Sequence, residues 1–399
     1  MSCECEKGPT PRWSSLANKP TSSVIRDLLK LAARPEVISF AGGLPSPAGF
    51  PLEAIAKACQ TVIDRDGRHA LQYSMVEGEV ELRREIARRE TQKGIPTTAE
   101  QVQVVSGSQQ ALDLLARVFL DNGDKVLVES PTYMGALQAF DLCNPTYVEL
   151  PCDEQGLNPA AFGEECRGAK FAYVMPTASN PTGLTISEER RKLLAEKARE
   201  YDMWLVEDDP YGELWYDKEP PASLRKWAPE RTIRLGTLSK VLAPGFRLGY
   251  IIAPAEVLNK IATIKQAVDL HTATFTQLIS AQVFSEDLLV THLPSVRARY
   301  KKHAMAMLEA LDEYMPEGVT WTHPNAGMFI WVTLPEHIDA TALMNEVLAK
   351  NVAYVPGESF YATNPQKNHF RLSFVTVDPD VIREGVKRLA EVIRLHITI

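Results

Sequence analysis

The stretch from residue 236 to residue 250 reads GTLSKVLAPGFRLGY and contains a single lysine, Lys240. Lys240 lies between a short apolar run and a turn-rich Ala-Pro-Gly segment, and Arg247 follows seven residues later. A lysine on a loop is normally solvated and takes no part in chemistry. The segments on either side of this stretch therefore decide whether Lys240 has a chemical role.

Apolar runs of strand length alternate with longer segments of helical period between residues 101 and 253. The predicted strands span residues 102–105, 125–129, 145–150, 171–175, 203–207, 233–236 and 249–253. Helical stretches at 106–120 and 187–201 lie between some of these strands. Near-continuous apolar strands separated by helices are typical of a mostly parallel sheet with helices on both faces. We therefore predict an α/β fold with a seven-stranded sheet, in which ligands bind beyond the carboxyl ends of the strands.

The pattern changes after residue 288. A long predicted helix at 288–314 precedes apolar strands at 327–334, 351–356 and 369–375, and a last helix begins at Asp378 and Pro379. Near the other end, an amphipathic helix at 22–33 precedes the turn-rich segment FAGGLPSP. We predict an N-terminal arm and helix (1–45) that join a small C-terminal α+β domain (288–399), and a large ligand-binding domain (46–287).

Composition excludes several classes of function. The chain has 399 residues, 45% of them hydrophobic and 24% charged, as in folded globular proteins. Its net charge of −8 disfavours nucleic acid or an anionic membrane as a general partner. No apolar run reaches the roughly 18 residues that span a bilayer, and the N-terminus lacks a signal-peptide pattern, so we expect a cytoplasmic protein. The six cysteines match no disulfide framework or zinc spacing, and the Cys3/Cys5 pair has no nearby histidine, so we expect no metal site.

Ser108 opens a predicted helix directly after the strand at 102–105. The free backbone N–H groups of a helix start and a hydroxyl together form an anion site that suits a phosphate. The alternative is that the serine is an ordinary helix cap. The segment matches neither the Rossmann GxGxxG nor the P-loop GxxxxGK[ST], so neither NAD nor ATP is indicated.

Polar side chains also follow three further strands. Tyr133 follows the strand at 125–129, where its ring can stack on a flat ligand or cover the core. Asn180 follows the strand at 171–175 and precedes a proline, which favours a fixed turn. Asp208 and Asp209 follow the strand at 203–207 and point to opposite faces, but the alternation does not say which one faces a ligand.

One ligand uses all of these groups. Pyridoxal phosphate has a phosphate, a flat ring, a phenolic oxygen, a pyridine nitrogen that works best protonated, and an aldehyde that a lysine must hold. We therefore expect Lys240 to hold the aldehyde and Arg247 to neutralise phosphate charge.

Motifs along the whole chain carry a family resemblance. In chain order they are SFAGGLPSP, LQYSMVEG, SGSQQALDL, ESPTYMGALQAF, NPTG, VEDDPYGEL, SKVLAPGFRLGY and FRLSF. With these motifs the chain resembles the fold type I pyridoxal-phosphate aminotransferases of class I/II. The most similar subgroup contains bacterial 2-aminoadipate aminotransferases and mammalian kynurenine/aminoadipate aminotransferase. The resemblance implies transfer of an amino group from an L-amino acid (2-aminoadipate, branched-chain or aromatic) to a 2-oxo acid, 2-oxoglutarate above all, in ping-pong order.

The resemblance also implies a role for each matched position. It assigns the cofactor phosphate to Ser108, Gln109, Ser239 and Arg247. The cofactor ring would have Tyr133 on its face, Asp208 rather than Asp209 at its nitrogen, and Asn180 and Tyr211 at its ring oxygen. Proton transfer would fall to Lys240. The catalytic set is then Lys240, Asp208 and Tyr133. It assigns the substrate α-carboxylate to Arg371, with Asn180 and Gly43 beside the substrate and Arg26 on a side-chain carboxylate. Tyr73 would reach the phosphate of a neighbouring subunit, which implies a homodimer.

Alternatives remain at several of these points. Arg371 could form a buried structural ion pair, and Arg26 could be a solvated helix arginine. The same fold also supports other pyridoxal-phosphate reactions, such as those of β-lyases and decarboxylases. Outside enzymes, some transcription regulators use an aminotransferase-like domain as an effector sensor, but they carry a basic DNA-binding module ahead of it, which we do not expect here.

Overall fold

In the computed structural model of the chain, residues 11–18 and 34–397 are described. The predicted helix at 22–33, with Arg26, and the Cys3/Cys5 pair lie outside these residues. The strands are β1 (Ile38–Ser39), β2 (Val102–Val105), β3 (Lys125–Ser130), β4 (Thr146–Asp153), β5 (Gly156–Leu157), β6 (Ala169–Val174), β7 (Trp204–Asp208), β8 (Thr232–Thr237), β9 (Gly249–Ile252), β10 (Thr320–Trp321), β11 (Phe329–Thr333), β12 (Val352–Ala353), β13 (Val355–Pro356) and β14 (His369–Ser373). The α-helices are α1 (Leu52–Ala70), α2 (Val80–Gln92), α3 (Ser108–Phe119), α4 (Met134–Phe140), α5 (Glu188–Glu200), α6 (Ala255–Asp269), α7 (Thr274–Ser285), α8 (Leu288–Tyr314), α9 (Ala340–Ala349) and α10 (Pro379–Ile397). Within this part of the chain, no helix combines the length and the apolar character needed to cross a membrane.

The large sheet has the strand order β2-β9-β8-β7-β6-β3-β4-β5. Strands β9 and β5 run antiparallel to their neighbours, and the other strands share one direction. The mostly parallel α/β sheet is therefore confirmed, but the predicted number of seven strands is wrong, because the sheet has eight. The additional strand, β5, has two residues and folds back on the end of β4, and so short a strand leaves no periodic pattern in the sequence.

Both faces of this sheet are buried. On β3, Val126 and Val128 belong to one hydrophobic cluster, whereas Leu127 belongs to a second cluster on the opposite face. Helix α5 covers the second face through Leu194 and Ala198. The Ser187 hydroxyl caps α5 by accepting the Arg190 N–H at 3.3 Å, which fixes where the helix begins. Because both faces are covered, ligands have access only at the strand ends.

The chain after α7 forms a second layer around a small sheet. Its order is β10-β11-β14-β13, with antiparallel neighbours throughout. The predicted helix at 288–314 is confirmed as α8, whereas the strand predicted at 351–356 divides at Tyr354 into β12 and β13. β12 pairs with β1, so the chain before residue 40 joins this part of the molecule. The boundaries after residues 45 and 287 stay predictions.

Candidate active site

A cavity of about 1140 Å³ lies beyond the carboxyl ends of the parallel strands and reaches β11 and β14. Most residues predicted for the site line it, and Tyr73 is the described exception. The predicted residues in its wall are Gly43, Ser108, Gln109, Tyr133, Asn180, Asp208, Tyr211, Ser239, Lys240, Arg247 and Arg371. The predicted strand ends therefore converge on one cavity.

Lys240 follows β8 and extends into this cavity. Its Nζ donates a hydrogen bond to the Gly43 carbonyl oxygen at 2.7 Å. Burial, together with the positive charges of Arg371 and Arg247, lowers the pKa of Lys240 to about 8. At pH 7 a lysine with this pKa is mainly an ammonium, with roughly a tenth present as the free amine that a nucleophile or general base requires.

Asp208 is the last residue of β7, and its side chain faces the cavity. Asp209 instead pairs with Arg234 at 2.9 Å, which settles the question that strand alternation leaves open. Asp208 Oδ2 accepts a hydrogen bond from the Tyr173 hydroxyl at 2.8 Å. Oδ1 is buried and has no hydrogen-bond partner among the described residues. Burial raises the pKa of Asp208 to about 7, although the Tyr173 hydroxyl lowers it.

The start of α3 faces the same cavity. Its N-cap is Gly107, with a φ of 88°, so the alternative that Ser108 caps the helix is wrong and Ser108 is its first residue. A Cβ at position 107 would lie 2.6 Å from Nη2 of Arg247, so only glycine lets this guanidinium lie against the helix start. The Gln109 side chain donates to the Gly135 carbonyl at 2.7 Å and is therefore not free for a ligand. Ser108 at the start of α3, Ser239 and Arg247 line the same cavity, and the resemblance's assignment of a phosphate to them stays a prediction.

Two tyrosines and an asparagine shape the cavity wall. Tyr133 is the N-cap of α4, at the predicted corner between strand and helix. Burial raises the pKa of Tyr211, and a hydrogen bond with Asn180 opposes the shift. The Tyr211 ring packs edge-on against Phe329, with the two centroids 5.8 Å apart.

Arg371 lies on β14, opposite the strand ends of the large sheet. Its Nη1 donates to Asn180 Oδ1 and its Nη2 to the Ala41 carbonyl, both at 2.7 Å. The guanidinium carbon lies 4.1 Å from the centroid of the Phe329 ring. In residues 11–18 and 34–397 no carboxylate pairs with Arg371, and its buried Nε has no partner, so a structural ion pair does not explain it. Burial lowers the pKa of Arg371 to about 10, and it remains a cation at neutral pH.

Tyr73 is the predicted site residue, among those that the structure describes, that does not line this cavity. Tyr73 is 74% exposed and packs edge-on against the His271 ring, with centroids 5.6 Å apart. Its side chain therefore does not serve the cavity of its own chain. Arg26 lies outside the described residues, so its contact with substrate stays a prediction.

Sequence reasoning missed three residues of the site. Tyr173 contacts Asp208, Phe329 lies under Arg371, and Glu129 is a buried carboxyl at the end of β3. Glu129 Oε2 accepts the Met175 N–H at 3.0 Å, and burial raises the Glu129 pKa to about 8. Of these three, only Tyr173 could have been noticed in the sequence. It is the one polar side chain in the apolar strand predicted at 171–175, and a buried hydroxyl needs a hydrogen-bond partner.

The lining residues fit pyridoxal phosphate. The unpartnered Oδ1 of Asp208 can accept a hydrogen bond from a protonated ring nitrogen, and the anion site at α3 can hold the phosphate. Lys240 supplies an amine that is partly free at neutral pH. Within residues 11–18 and 34–397, no three His, Cys, Asp or Glu side chains are arranged to hold a metal ion. Fold and site together define an enzyme that uses pyridoxal phosphate.

Comparison with known proteins identifies the family. Residues 35–389 match the family described as aminotransferase class I and II, and the chain belongs to it. The chain is 46% identical over 382 residues to aromatic-amino-acid aminotransferase 1 of Thermococcus litoralis, covering 94% of this chain and 92% of that protein. The crystal structure of Pyrococcus horikoshii kynurenine aminotransferase has a TM-score of 0.93 at 43% identity, with 96% and 97% of the two chains covered. The α-aminoadipate aminotransferase of Thermus thermophilus, complexed with N-(5'-phosphopyridoxyl)-L-leucine, has a TM-score of 0.90 at 39% identity, with coverages of 97% and 98%. The protein is therefore a pyridoxal-phosphate-dependent aminotransferase.

Proposed function

We propose that this aminotransferase takes its amino group from 2-aminoadipate, branched-chain or aromatic L-amino acids and passes it to 2-oxoglutarate. The relatives support this range. Their names include aromatic amino acids, kynurenine and α-aminoadipate, and one of them is complexed with a leucine adduct of the cofactor. One observation carries the proposal: Arg371, Lys240 and Asp208 line one cavity, and Arg371 Nε and Asp208 Oδ1 have no partner among the described residues.

Arg371 would bind the α-carboxylate of either substrate. A planar guanidinium donates two parallel hydrogen bonds to a carboxylate, and Nε is free to be one of the two donors. The carboxylate would then share Arg371 with Asn180 or displace that contact. The Phe329 ring beneath the guanidinium keeps water from that face and limits its motion.

Lys240 and Asp208 would carry out the chemistry. When bound, pyridoxal phosphate supplies the carbonyl that exchanges with the amino group and withdraws electrons from the substrate Cα. Asp208, as a carboxylate, would hold the ring nitrogen protonated through Oδ1. Lys240 Nζ would take the proton from the substrate Cα, because its lowered pKa leaves the amine partly unprotonated near neutral pH. Tyr133, Asn180 and Tyr211 would fix the ring between them.

The active unit would be a homodimer. Tyr73 does not line the cavity of its own chain, and further large apolar side chains near it in sequence, Leu71 and Met75, are 75% and 68% exposed. An apolar surface of this kind favours association with a second subunit. Across that interface Tyr73 would reach the phosphate bound by the partner.

A panel of amino donors with 2-oxoglutarate tests the donor range, with glutamate formation as the measurement. We expect turnover with 2-aminoadipate, leucine and phenylalanine. Arg371→Lys should raise KM for donor and acceptor alike by about 10- to 100-fold, because lysine keeps the charge but loses the paired hydrogen bonds. Affinity for pyridoxal phosphate should stay unchanged. An unchanged KM in Arg371→Lys contradicts the assignment of the carboxylate, and release of pyruvate or ammonia without an acceptor supports a lyase instead.

A further inference from the structure

Tyr173 is a fully buried tyrosine near the carboxyl end of β6, the strand next to β7 in the sheet. Its hydroxyl donates to Asp208 Oδ2 at 2.8 Å. The ring packs edge-on against Phe140, with centroids 5.6 Å apart and an interplanar angle of 78°. The hydroxyl is therefore held at Asp208 by a rigid strand and by a packed ring.

Asp208 sits among groups that oppose its ionisation. Its strand neighbours Glu207 and Asp209 are acidic, and the Glu129 carboxyl on β3 interacts with it as well. Arg234 on β8 lowers the Asp208 pKa, but this guanidinium already pairs with three carboxylates, those of Glu90, Glu207 and Asp209, at 2.9–3.0 Å.

Titratable and charged groups of the cavity wall also surround Asp208. Tyr133 and Tyr211 face Asp208 from the cavity wall, where each interacts electrostatically with the carboxylate. The cations of the cavity wall are Lys240, Arg247 and Arg371. Among the described residues, Tyr173 alone donates a hydrogen bond to the Asp208 side chain.

We propose that Tyr173 is a positioning residue that keeps Asp208 ionised and turned so that Oδ1 faces the cofactor nitrogen. The proposal rests on the role given to Asp208 in the proposed function. A carboxylate rotates freely about its last bond, so a hydrogen bond to one oxygen fixes where the other points. A hydroxyl that donates to a carboxylate also stabilises the charged form over the neutral one.

Tyr173→Phe tests this role because it removes the hydroxyl and retains the packed ring. The measurement is the affinity of the apo-protein for pyridoxal phosphate as a function of pH, followed by cofactor absorbance. A hydrogen bond to a charged group corresponds to a shift of about one pH unit or more. We expect the acid limb of the affinity profile to move upward by about one unit and neutral affinity to fall about tenfold. KM for the amino donor should change little, since Tyr173 does not reach Arg371.

Tyr201→Phe is the matched control. Tyr201 is also buried, and its hydroxyl donates to the Phe162 carbonyl at 3.0 Å, away from the cavity. Each of the two substitutions removes one buried hydrogen bond. Thermal unfolding of the two apo-variants therefore measures the loss of stability that they share. The pH shift should appear in Tyr173→Phe alone, and it should vanish when Tyr173→Phe is made in an Asp208→Asn background.

Two outcomes overturn the proposal. One is an acid limb in Tyr173→Phe that coincides with that of the native protein, and the other is an equal shift in Tyr201→Phe. Failure of the proposed function is recognised separately, because then the native protein itself would not bind pyridoxal phosphate.

Discussion

Burial gives Lys240 a pKa well below that of an ordinary lysine. A lysine in water has a pKa of 10.5, whereas the surroundings of Lys240 lower its pKa to about 8. Desolvation is the main cause, and the nearby Arg371 and Arg247 charges add to it. At neutral pH the folded protein therefore holds an ammonium in surroundings that destabilise it. This free-energy cost lowers the pKa and so raises the fraction of free amine.

Lys240→Met should accordingly stabilise the apo-protein at pH 7, on the order of 2 kcal/mol. Between pH 8 and 10.5 the unfolded chain keeps the Lys240 proton and the folded chain has lost it, so native stability rises with pH there. The advantage of the variant should thus shrink over that window. Urea unfolding of the apo-proteins measures this difference in the free energy of unfolding. Lys57→Met is the control, because the Lys57 side chain is 71% exposed. A native protein more stable than Lys240→Met at pH 7 would contradict the destabilised ammonium.

The start of α3 is the element at which we expect the phosphate to bind. The N-cap of this helix is Gly107, whose positive φ and missing side chain let the Arg247 guanidinium lie against it. Neither the positive φ nor the close approach of Arg247, which is distant in sequence, can be read from SGSQQAL. The sequence indicated an anion site here but left open whether Ser108 caps the helix.

Gly107→Ala should weaken the hold on the phosphate. The added Cβ would lie 2.6 Å from Nη2 of Arg247 and displace the guanidinium. We expect the affinity of the apo-protein for pyridoxal phosphate to fall about tenfold, while its affinity for pyridoxal, which lacks the phosphate, changes less. Gly94→Ala is the control, since Gly94 has a similar φ of 82° but nothing within 4 Å of an added Cβ. Equal losses for both ligands would mean that strain, and not the phosphate contact, is responsible.

Element prediction succeeded where burial imposes a pattern and failed where it does not. The seven long strands of the large sheet were found because apolar runs alternate with amphipathic helices. The two-residue β5 has no such pattern. The side chains that support the site from behind, Tyr173 and Glu129, depend on which strands are neighbours, and the order β7-β6-β3 is not a local property of the sequence. Whether Asp208 or Asp209 faces the cavity required the position of Arg234.

At the scale of the whole molecule, the position of Tyr73 bears on whether the active site takes its residues from one chain or from two. It lies on the surface beside His271 and not in the cavity. In the proposed dimer each subunit would lend Tyr73 to the other, which would account for an exposed tyrosine next to exposed apolar side chains. Each site would then need residues from both chains.

Mixing Lys240→Ala with Tyr73→Ala chains tests this exchange. In a hybrid dimer one site would lack both residues and the other would have both, so activity should return to about a quarter of the native value after subunit exchange. Mixing Lys240→Ala with Asp208→Asn is the control, because both residues line one chain's cavity and every hybrid site keeps a defect. Activity that stays at the level of the separate variants would place Tyr73 outside the partner's site.

The most direct test of the central claim is the site of covalent labelling. Borohydride reduction of the protein with pyridoxal phosphate, followed by peptide mapping, should place the pyridoxyl group on Lys240, and Lys240→Ala should take up none at any specific site. A label on another lysine, or no label on the native protein, would contradict the account.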